Sequence, residues 1–286
     1  MSDPTPLLRF TAVAPLRAEV AAWRLAGERV VLVPTMGALH AGHLALMARA
    51  RSLGRRVVAS IFVNPTQFNN PDDLRLYPRL PEQDTALLAG AGCTALFMPP
   101  VEEIYPQPTV LRFDFGALER VMEGAHRPGH FNGVATVVSK LFHMAQPHRA
   151  YFGQKDFQQV AIVRQLIADL SFDLELVVAP TVRETDGLAM SSRNRRLNPE
   201  ARAVAPLLHQ VLSQAASQVR QGVAPAQVQA QALAALAQEP QFTPEYFEVA
   251  DAQTLQPLAG YEAGQPVVLC VAAHLGGVRL IDNVVV

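Results

Sequence analysis

The chain has 286 residues, half of them hydrophobic, and a formal net charge of −1 at pH 7. This length accommodates one large domain, or a large and a small one. The near-zero charge argues against a general nucleic-acid-binding role, which usually requires a basic face. No apolar run reaches membrane-spanning length, and the polar, proline-rich start gives no sign of a signal peptide. We therefore expect a cytoplasmic protein without a membrane or nucleic-acid partner, in which Cys93 and Cys270 are small buried hydrophobic residues.

The first predicted elements are a helix over Pro15 to Gly27 and an apolar strand over Val30 to Val33. A glycine-containing turn follows the strand, and a helical pattern begins near Ala41. At this helix start His40 and His43 are three residues apart, so they can share one face. Backbone N–H groups at a helix start favour anions, and two imidazoles there could stabilise a phosphate in its transition state. The alternative is that both histidines are solvated residues of the first helical turn.

The second predicted strand, Val57 to Val63, is followed directly by Asn64 and Gln67. Ligands bind at the carboxyl ends of strands in open parallel sheets, so the Gln67 amide could fix a small polar ligand there. A solvent-exposed turn glutamine is the alternative. The stretch from Asn64 to Asp84 is rich in Pro, Asn and Asp and predicts a long loop, and such loops are usually functional or mobile.

The middle of the chain predicts less chemistry. Its predicted elements are a helix over Asp84 to Ala91, a strand over Ala95 to Met98 and a helix over Gly133 to Met144. We expect Glu102, Glu103 and Tyr105 to lie in a solvated loop rather than to form an acid–base pair. His126 and His130 lie in a Gly/Pro-containing segment, but their spacing fits no common zinc pattern, so no zinc site is predicted.

The strand–turn–helix pattern recurs as a strand over Ala150 to Phe152, a turn over Gly153 to Asp156 and a helix over Phe157 to Leu170. In this turn stands Lys155, and Lys140 is the only other lysine among 24 basic residues. A compact ammonium at such a turn can reach a phosphate, although chance retention of a lysine is the alternative. Asp156 could accept a hydrogen bond from a ribose hydroxyl or cap the helix, and the two roles do not exclude each other.

A strand over Leu174 to Val178 precedes a predicted domain boundary at Pro180 to Arg183. Beyond it, the hydroxyls of Ser191 and Ser192 and the guanidinium of Arg193 suit contact with a triphosphate, with a helix-capping turn as the alternative. The remaining predicted elements are helices over Pro199 to Gln221 and Pro225 to Gln238, and strands over Tyr246 to Ala250, Val267 to Ala272 and Val278 to Asp282, with a hairpin turn at Gly276–Gly277. This tail predicts a small α+β domain in which His209 and His274 are structural.

Several of these motifs carry a family resemblance. The H-x-G-H pattern resembles the signature of the nucleotidylyltransferase superfamily, which includes the class I aminoacyl-tRNA synthetases. The longer P-T-M-G-A-L-H-A-G-H resembles the pantothenate synthetase family, as do F-V-N-P-T-Q-F, E-G-A-H-R-P-G-H-F, Y-F-G-Q-K-D-F-Q-Q and M-S-S-R-N. The resemblance implies an α/β fold with a Rossmann-like parallel-sheet domain over residues 1–181, which binds ATP and pantoate. A smaller C-terminal α+β domain over residues 182–286 would close over the site.

The resemblance also implies a reaction and a set of site residues. ATP and pantoate would give pantoyl adenylate and pyrophosphate, and β-alanine would then attack the adenylate to give pantothenate and AMP. The implied catalytic residues are His43, His40 and Lys155. The implied ATP contacts are Met36, Gly37, Ala38, Leu39, His40, His43, Gly153, Gln154, Lys155, Asp156, Val182, Met190, Ser191, Ser192 and Arg193.

The implied contacts to pantoate and β-alanine are Gln67, Gln159 and Asn64, and the resemblance places Glu123 and Arg127 close to the active site. ATP would act as a substrate together with Mg²⁺, whose ligands are not predicted, and the family is usually homodimeric. Two other functions stay open at this point. A nucleotidylyltransferase acting on another small phosphate- or carboxylate-bearing substrate would share H-x-G-H without needing the glutamine pair. A non-catalytic ATP- or RNA-binding module is the other, and the neutral charge disfavours RNA.

Overall fold

The structure is a computed structural model that describes residues 6–53 and 56–286. The proline-rich start of the chain, up to Thr5, lies outside the described residues. The chain forms two compact units. The first comprises residues 1–115, 127–153 and 162–179, and the second comprises residues 116–126, 154–161 and 180–286. The predicted domain boundary between residues 181 and 182 stays a prediction. The second unit also includes two segments that precede this boundary, residues 116–126 and 154–161.

Within the described residues, the first unit contains a six-stranded parallel sheet in the order β1-β4-β3-β2-β5-β6. The strands are β1 (Leu8–Phe10), β2 (Val30–Thr35), β3 (Arg56–Ile61), β4 (Ala95–Phe97), β5 (Arg149–Gly153) and β6 (Glu175–Ala179). The α/β prediction with a parallel sheet is therefore confirmed. Strand β1 was not predicted, because its three residues are too few for a period-2 pattern.

Helices cover both faces of this sheet. The helices up to residue 169 are α1 (Val13–Leu25), α2 (Ala41–Leu53), α3 (Pro71–Leu76), α4 (Pro81–Gly90), α5 (Val101–Ile104), α6 (Met122–His126), α7 (His130–Ala145) and α8 (Phe157–Asp169). Of these, α6 and the first turn of α8 belong to the second unit. Val31 and Val33 of β2 pack with Met47 of α2 in one buried cluster. Because side chains alternate along a strand, Val30 and Leu32 face the opposite side, and α1 and α7 also contact β2. A strand buried on both faces explains the continuous apolar run.

Two loop predictions in the first unit are wrong. The stretch from Asn64 to Asp84 contains a 3₁₀ turn at Pro65–Gln67, helix α3 and the start of α4. Proline occupies the first helical position of each, where its missing N–H is not needed, and Asn64 and Asn70 cap the first two with their side chains. The carboxylates of Glu102 and Glu103 lie in α5 rather than in a loop. Helices this short give no periodic signal.

The second unit, over its described residues, contains a three-stranded antiparallel sheet in the order β7-β8-β9. Its later elements are α9 (Pro199–Val204), α10 (Leu207–Arg220), α11 (Pro225–Ala237), β7 (Phe242–Asp251), β8 (Val267–Leu275) and β9 (Val278–Val285). Leu269 and Val271 of β8 face the cluster formed with α9 to α11, whereas Cys270 faces a second cluster that includes Met122 of α6. This small sheet is therefore buried on both faces.

Two details of this unit follow from local backbone chemistry. The single helix predicted over Pro199 to Gln221 is wrong, because the chain forms α9 and α10 with a break at Ala205 and Pro206. Proline clashes with the preceding turn and lacks a donor, so a helix seldom continues through it. The hairpin predicted at Gly276–Gly277 is confirmed, since both glycines have positive φ and connect β8 to β9.

Among the described helices, none is long and apolar enough to cross a membrane.

Candidate functional site

The predicted site residues of the first unit lie at one edge of the parallel sheet. Strand β2 pairs in parallel with both β3 and β5, so the carboxyl ends of these three strands lie at the same edge. The turn after β2 holds Met36 to His40, and the turn after β3 holds Asn64 and Gln67. Gly153 ends β5 at this edge. The strand ends thus bring the H-x-G-H segment and the Gln67 segment to the place where ligands bind in such sheets.

The turn after β2 has a strained backbone. Gly37 has a φ of 80° and Ala38 a φ of 50°, both in the left-handed region. A Cβ at Gly37 would lie 2.9 Å from Oδ2 of Asp84 and 3.0 Å from Cγ2 of Ile61, so only glycine fits there. A left-handed alanine costs roughly 1–2 kcal/mol and persists only where its surroundings hold it.

Intrachain acceptors surround the amides of this turn. The N–H of Gly37 donates to Oγ1 of Thr35 at 3.2 Å. The N–H groups of Ala38 and Leu39 donate to the two carboxylate oxygens of Asp84, each at 2.8 Å. Asp84 is 1% exposed and belongs to α4. The amides of Ala38 and Leu39 are therefore paired with a carboxylate from inside the chain, which the sequence placed only at a helix start.

The hydrogen bonds of His40 and His43 fix which ring nitrogens can donate. The N–H of His40 donates to Nδ1 of His43 at 3.4 Å, and the N–H of Gly42 donates to Nδ1 of His40 at 3.2 Å. Because each Nδ1 accepts a hydrogen bond, the proton of each neutral imidazole is on Nε2. The ring centroids are 4.1 Å apart, so the two side chains form one pair of potential donors. Such a pair can bind phosphate oxygens.

Gln67 is held by a polar network that includes Asn64. The side-chain amide of Asn64 donates to Oε1 of Gln67 at 3.0 Å and to the Gly133 oxygen at 3.1 Å. The hydroxyl of Tyr105 donates to Oδ1 of Asn64 at 2.9 Å. Burial raises the pKa of Tyr105, which keeps this hydroxyl protonated. Asn64, at 1% exposed, therefore contacts Gln67 directly and orients its amide.

With its oxygen paired to Asn64, Gln67 presents its amide nitrogen. Nε2 of Gln67 lies 3.1 Å from Sδ of Met36, which joins the Gln67 segment to the turn after β2. The backbone oxygen of Gln67 lies 2.8 Å from Nδ1 of His130 and accepts from Arg127 at 3.2 Å. The expected position of Arg127 close to the site thus corresponds to a direct contact with the Gln67 backbone. Neither His130 nor Tyr105 was predicted as a site residue, because both contacts link positions far apart in sequence.

In the second unit, the lysine-containing turn is held by the last strand. Residues Gln154 to Asp156 form the turn before α8, and Gln159 lies half-buried in the first turn of that helix. The side-chain amide of Asn283 in β9 donates to the backbone oxygens of Gln154 at 3.0 Å and Lys155 at 2.9 Å. Asn283 is 2% exposed. It is a supporting residue that the sequence did not indicate.

The segment from Val182 to Arg193 is also ordered from within the second unit. The N–H of Met190 donates to the oxygen of Val182 at 3.0 Å, so these two predicted ATP contacts lie together. Oγ of Ser191 accepts from the N–H of Arg193 at 3.3 Å and caps the 3₁₀ turn Ser192–Arg196. The structure therefore shows the capping turn, and the contact of Ser191, Ser192 and Arg193 with a triphosphate stays a prediction.

Asp282, the neighbour of Asn283, anchors the start of the same segment. Its carboxylate accepts two hydrogen bonds from Arg183, at 2.6 and 3.0 Å, in a bidentate pair. Arg183 also donates to the backbone oxygen of Gly187 at 3.1 Å. His209 lies beside this pair, and burial, followed by the charge of Arg183, lowers its pKa. Adjacent residues of β9 thus support two of the predicted ATP-binding segments.

Glu123, expected close to the active site, takes part in a buried ion network. Its carboxylate accepts two hydrogen bonds from Arg279, at 2.7 and 2.8 Å, and one from the Tyr246 hydroxyl at 2.8 Å. Arg279 also pairs with Glu245. Against burial, which opposes it, these carboxylates raise the pKa of Arg279. The network holds α6 to the small sheet, which gives Glu123 a structural role in the second unit. In the described part of the chain, no group of three or more His, Cys, Asp or Glu side chains could hold a metal ion.

Comparison with known proteins finds a family model and curated sequence relatives that agree with each other. A family model described as pantoate-β-alanine ligase matches residues 9–285. A pantothenate synthetase from Porphyromonas gingivalis is 49% identical over 275 residues, covering 96% of this chain and 98% of its own length. A pantothenate synthetase from Cereibacter sphaeroides is 50% identical, with coverage of 98% and 99%.

Solved structures agree with the sequence relatives. The crystal structure of pantothenate synthetase from Thermus thermophilus has a TM-score of 0.90 and 46% identity, and covers 97% of this chain and 99% of its own. The pantoate-β-alanine ligase from Francisella tularensis, complexed with β,γ-ATP and β-alanine, has a TM-score of 0.80 and 32% identity, with 97% coverage of both chains.

Proposed function

This chain belongs to the pantoate-β-alanine ligase family, and from that premise we propose that it uses ATP to join pantoate to β-alanine. The product is pantothenate, a precursor of coenzyme A, and the intermediate is pantoyl adenylate. The enzyme is thus an amide-forming ligase. The observation on which the proposal rests is the pair of imidazoles after β2, in a segment that contacts the oriented amide of Gln67 through Met36.

The first step forms the adenylate. A pantoate carboxylate oxygen attacks the α-phosphorus of ATP, and the bond from that phosphorus to the bridging oxygen of pyrophosphate breaks. Two anions must approach each other, so the step depends on positioning and on charge stabilisation. The Nε2–H groups of His40 and His43 donate to phosphate oxygens, and the ammonium of Lys155 offsets their charge. Ser191, Ser192 and Arg193 contribute further donors to the phosphates.

The second step forms the amide. The amine nitrogen of β-alanine attacks the acyl carbon of pantoyl adenylate, the bond from that carbon to the phosphate oxygen breaks, AMP leaves, and the nitrogen loses a proton to solvent. Gln67 and Gln159 bind pantoate, and Gln67 also contacts β-alanine. Asn64 acts at the same subsite by holding the Gln67 oxygen, so that the amide nitrogen is the Gln67 group that would donate to the substrate.

The remaining ATP contacts come from the turns that carry these groups. They are Met36, Gly37, Ala38, Leu39, Gly153, Gln154, Asp156, Val182 and Met190. Asp156 accepts from a ribose hydroxyl, and Val182 contacts adenine through its backbone. Mg²⁺ enters with ATP, because this ion keeps much of its water and binds mainly through substrate phosphates. We further propose a cytoplasmic enzyme that functions as a homodimer.

The test is a nucleotide-product assay with pantoate, β-alanine and ATP. We expect AMP and pyrophosphate, with pyrophosphate release that requires pantoate and pantothenate formation that requires both substrates. ADP with orthophosphate would contradict attack at the α-phosphorus. AMP transfer to another phosphate- or carboxylate-bearing compound, without activity on pantoate, would instead identify a nucleotidylyltransferase with a different substrate.

A further inference from the structure

Asp84 is a buried anion facing the turn that precedes the histidine pair. It is carried by α4, whose Leu88 is fully buried in the core of the first unit. Its two oxygens accept from the consecutive N–H groups of Ala38 and Leu39, each at 2.8 Å. Hydrogen bonds from a backbone amide to a carboxylate are stronger than those between neutral groups, and burial strengthens them further.

These bonds hold a conformation that the chain would not adopt unaided. Ala38 has a φ of 50°, and the preceding Gly37 has no room for a Cβ because of Asp84 itself. Backbone strain of this kind persists when the surrounding structure over-determines it, and it concentrates at functional sites. His40 follows Leu39 directly, and His43 is joined to His40 through its Nδ1 atom. The direction of both imidazoles therefore depends on the turn that Asp84 holds.

We propose that Asp84 is a positioning residue for adenylate formation, and that it acts by fixing the turn from Gly37 to Leu39 so that His40 and His43 meet the phosphates. This inference rests on the proposed function. It also assigns the Ala38 and Leu39 amides to Asp84 rather than to ATP, so these two residues contact the nucleotide through other atoms. The phosphates are then bound by side chains and not by these amides.

The alternative assignment makes the opposite prediction. If the Ala38 and Leu39 amides are the phosphate donors, Asp84 competes with ATP for them, and removing its charge strengthens nucleotide binding. If Asp84 positions the histidines, removing its charge weakens catalysis. The two assignments therefore differ in whether removing the charge of Asp84 strengthens nucleotide binding or weakens catalysis.

The test compares Asp84→Asn and Asp84→Ala with wild type and with Asp72→Asn. Asp72 lies in the same connecting segment, but its side chain is 71% exposed and pairs at the surface with Arg75, so it controls for the change in charge. In Asp84→Asn, the N–H of either Ala38 or Leu39 would face the side-chain NH₂ group of the asparagine, and that N–H would lose its acceptor. We expect kcat/KM for ATP in adenylate formation to fall on the order of 10²-fold, as for misplaced catalytic groups. Attack of β-alanine on supplied pantoyl adenylate should change much less.

Two further measurements separate positioning from general stability. Hydrogen exchange of the amides in residues 36–40 should accelerate in Asp84→Asn while exchange in β3 stays slow. In a double-mutant cycle, Asp84→Asn should cost less in a His43→Ala background than in wild type, because the two residues act through one unit. A purely structural role predicts equal losses in both half-reactions and additive effects.

Wild-type protein measured in parallel distinguishes the possible failures. If wild type releases no pantoate-dependent pyrophosphate, the proposed function is overturned, and the role of Asp84 with it. If wild type is active and Asp84→Asn matches it, or binds ATP more tightly, the role of Asp84 alone is overturned.

Discussion

The side-chain amide of Asn283 donates to the backbone oxygen of Lys155 at 2.9 Å, and this contact links the last strand of the chain to a turn 128 residues earlier. The same nitrogen donates to the oxygen of Gln154. A single buried amide thus fixes the peptide groups on either side of Lys155. The C-terminal part of the chain, in which the sequence showed no chemistry of its own, thus orders the turn that we propose contacts the phosphates of ATP.

We expect Asn283→Ala to raise the KM for ATP and to lower stability. Leaving the two carbonyl groups without their donor should cost about 1–3 kcal/mol per buried group left unpaired. Asn198→Ala is a matched control, because the Asn198 side chain also bonds to the backbone, here as an acceptor from the N–H of Ala201, but it caps α9 rather than a predicted ATP-binding turn. Asn198→Ala should lower the free energy of unfolding by about 1 kcal/mol and leave the KM for ATP unchanged. Thermal denaturation and steady-state kinetics of both variants check this prediction, and equal KM effects would contradict it.

The sequence was sufficient for elements whose signal is local. Strand β2 was predictable because four consecutive apolar residues are buried on both faces, and the hairpin at Gly276–Gly277 because glycine tolerates positive φ. Helices α3 and α5 were not, since six or four residues carry no periodicity. Pro206 divides α9 from α10, and the apolar pattern on both sides obscured the break.

The site divides in the same way. His40, His43, Gln67 and Lys155 stand directly after strands, where composition and motif spacing indicate ligands. Asp84 and Asn283 could not be found this way, because each acts on backbone groups that are remote in sequence. An aspartate in the first turn of a helix is expected for the helix dipole alone, so nothing in the local pattern distinguishes Asp84 from a solvated residue.

Lys155→Arg should lose much of the activity while the fold stays intact. The planar guanidinium is larger than an ammonium and cannot occupy a site shaped for a compact charge. Lys140→Arg is the matched control, because Lys140 lies 5.4 Å from the centroid of the Tyr105 ring, and an arginine keeps such a cation–π contact. Turnover and circular dichroism of both variants check this. Near wild-type turnover in Lys155→Arg would show that only the positive charge matters.

The thiols of Cys93 and Cys270 should be unreactive in the folded protein. Both are free and buried, and burial raises the pKa of Cys93 to about 12 and that of Cys270 further still. The thiolate is the reactive form, so little of either is available at neutral pH. Titration with a thiol reagent should detect almost no reaction in native protein and both thiols in denaturant. Rapid labelling without denaturant would contradict the burial of these residues.

Stability should decline at mildly acidic pH, in part through His148. Burial, followed by the charge of Arg24, lowers the pKa of His148, and its Nδ1 accepts from the N–H of Val30 at 3.0 Å. The folded-state pKa thus lies below the unfolded value of about 6.5, so the unfolded chain binds more protons in this range. The free energy of unfolding should fall as the pH decreases from about 6.5 through the folded-state pKa.

The variant that checks this is His148→Asn, whose side-chain oxygen can accept from Val30 but does not titrate. We expect its melting temperature to vary less with pH than that of wild type between about pH 7 and 5. His143→Asn serves as the control, since His143 is exposed. If His148→Asn kept the full pH dependence, His209, whose pKa is also lowered, would be the next histidine to replace.

His43 should act on the phosphate chemistry rather than on amide formation. Its Nδ1 accepts a hydrogen bond inside the turn, so the proton of the neutral ring is on Nε2, and we propose this N–H as the donor to ATP. Negative charge shifts onto the phosphate oxygens as pyrophosphate leaves, and a hydrogen bond from this donor strengthens in that transition state. The second step develops charge at the acyl carbonyl instead. His43→Ala should therefore slow adenylate formation on the order of 10²–10⁴-fold, and should slow attack of β-alanine on supplied pantoyl adenylate much less. Single-turnover measurements of each half-reaction check this, with His143→Ala as a control for loss of an imidazole elsewhere. Equal losses in both half-reactions would mean that His43 organises the site as a whole, and its assignment to one step would be wrong.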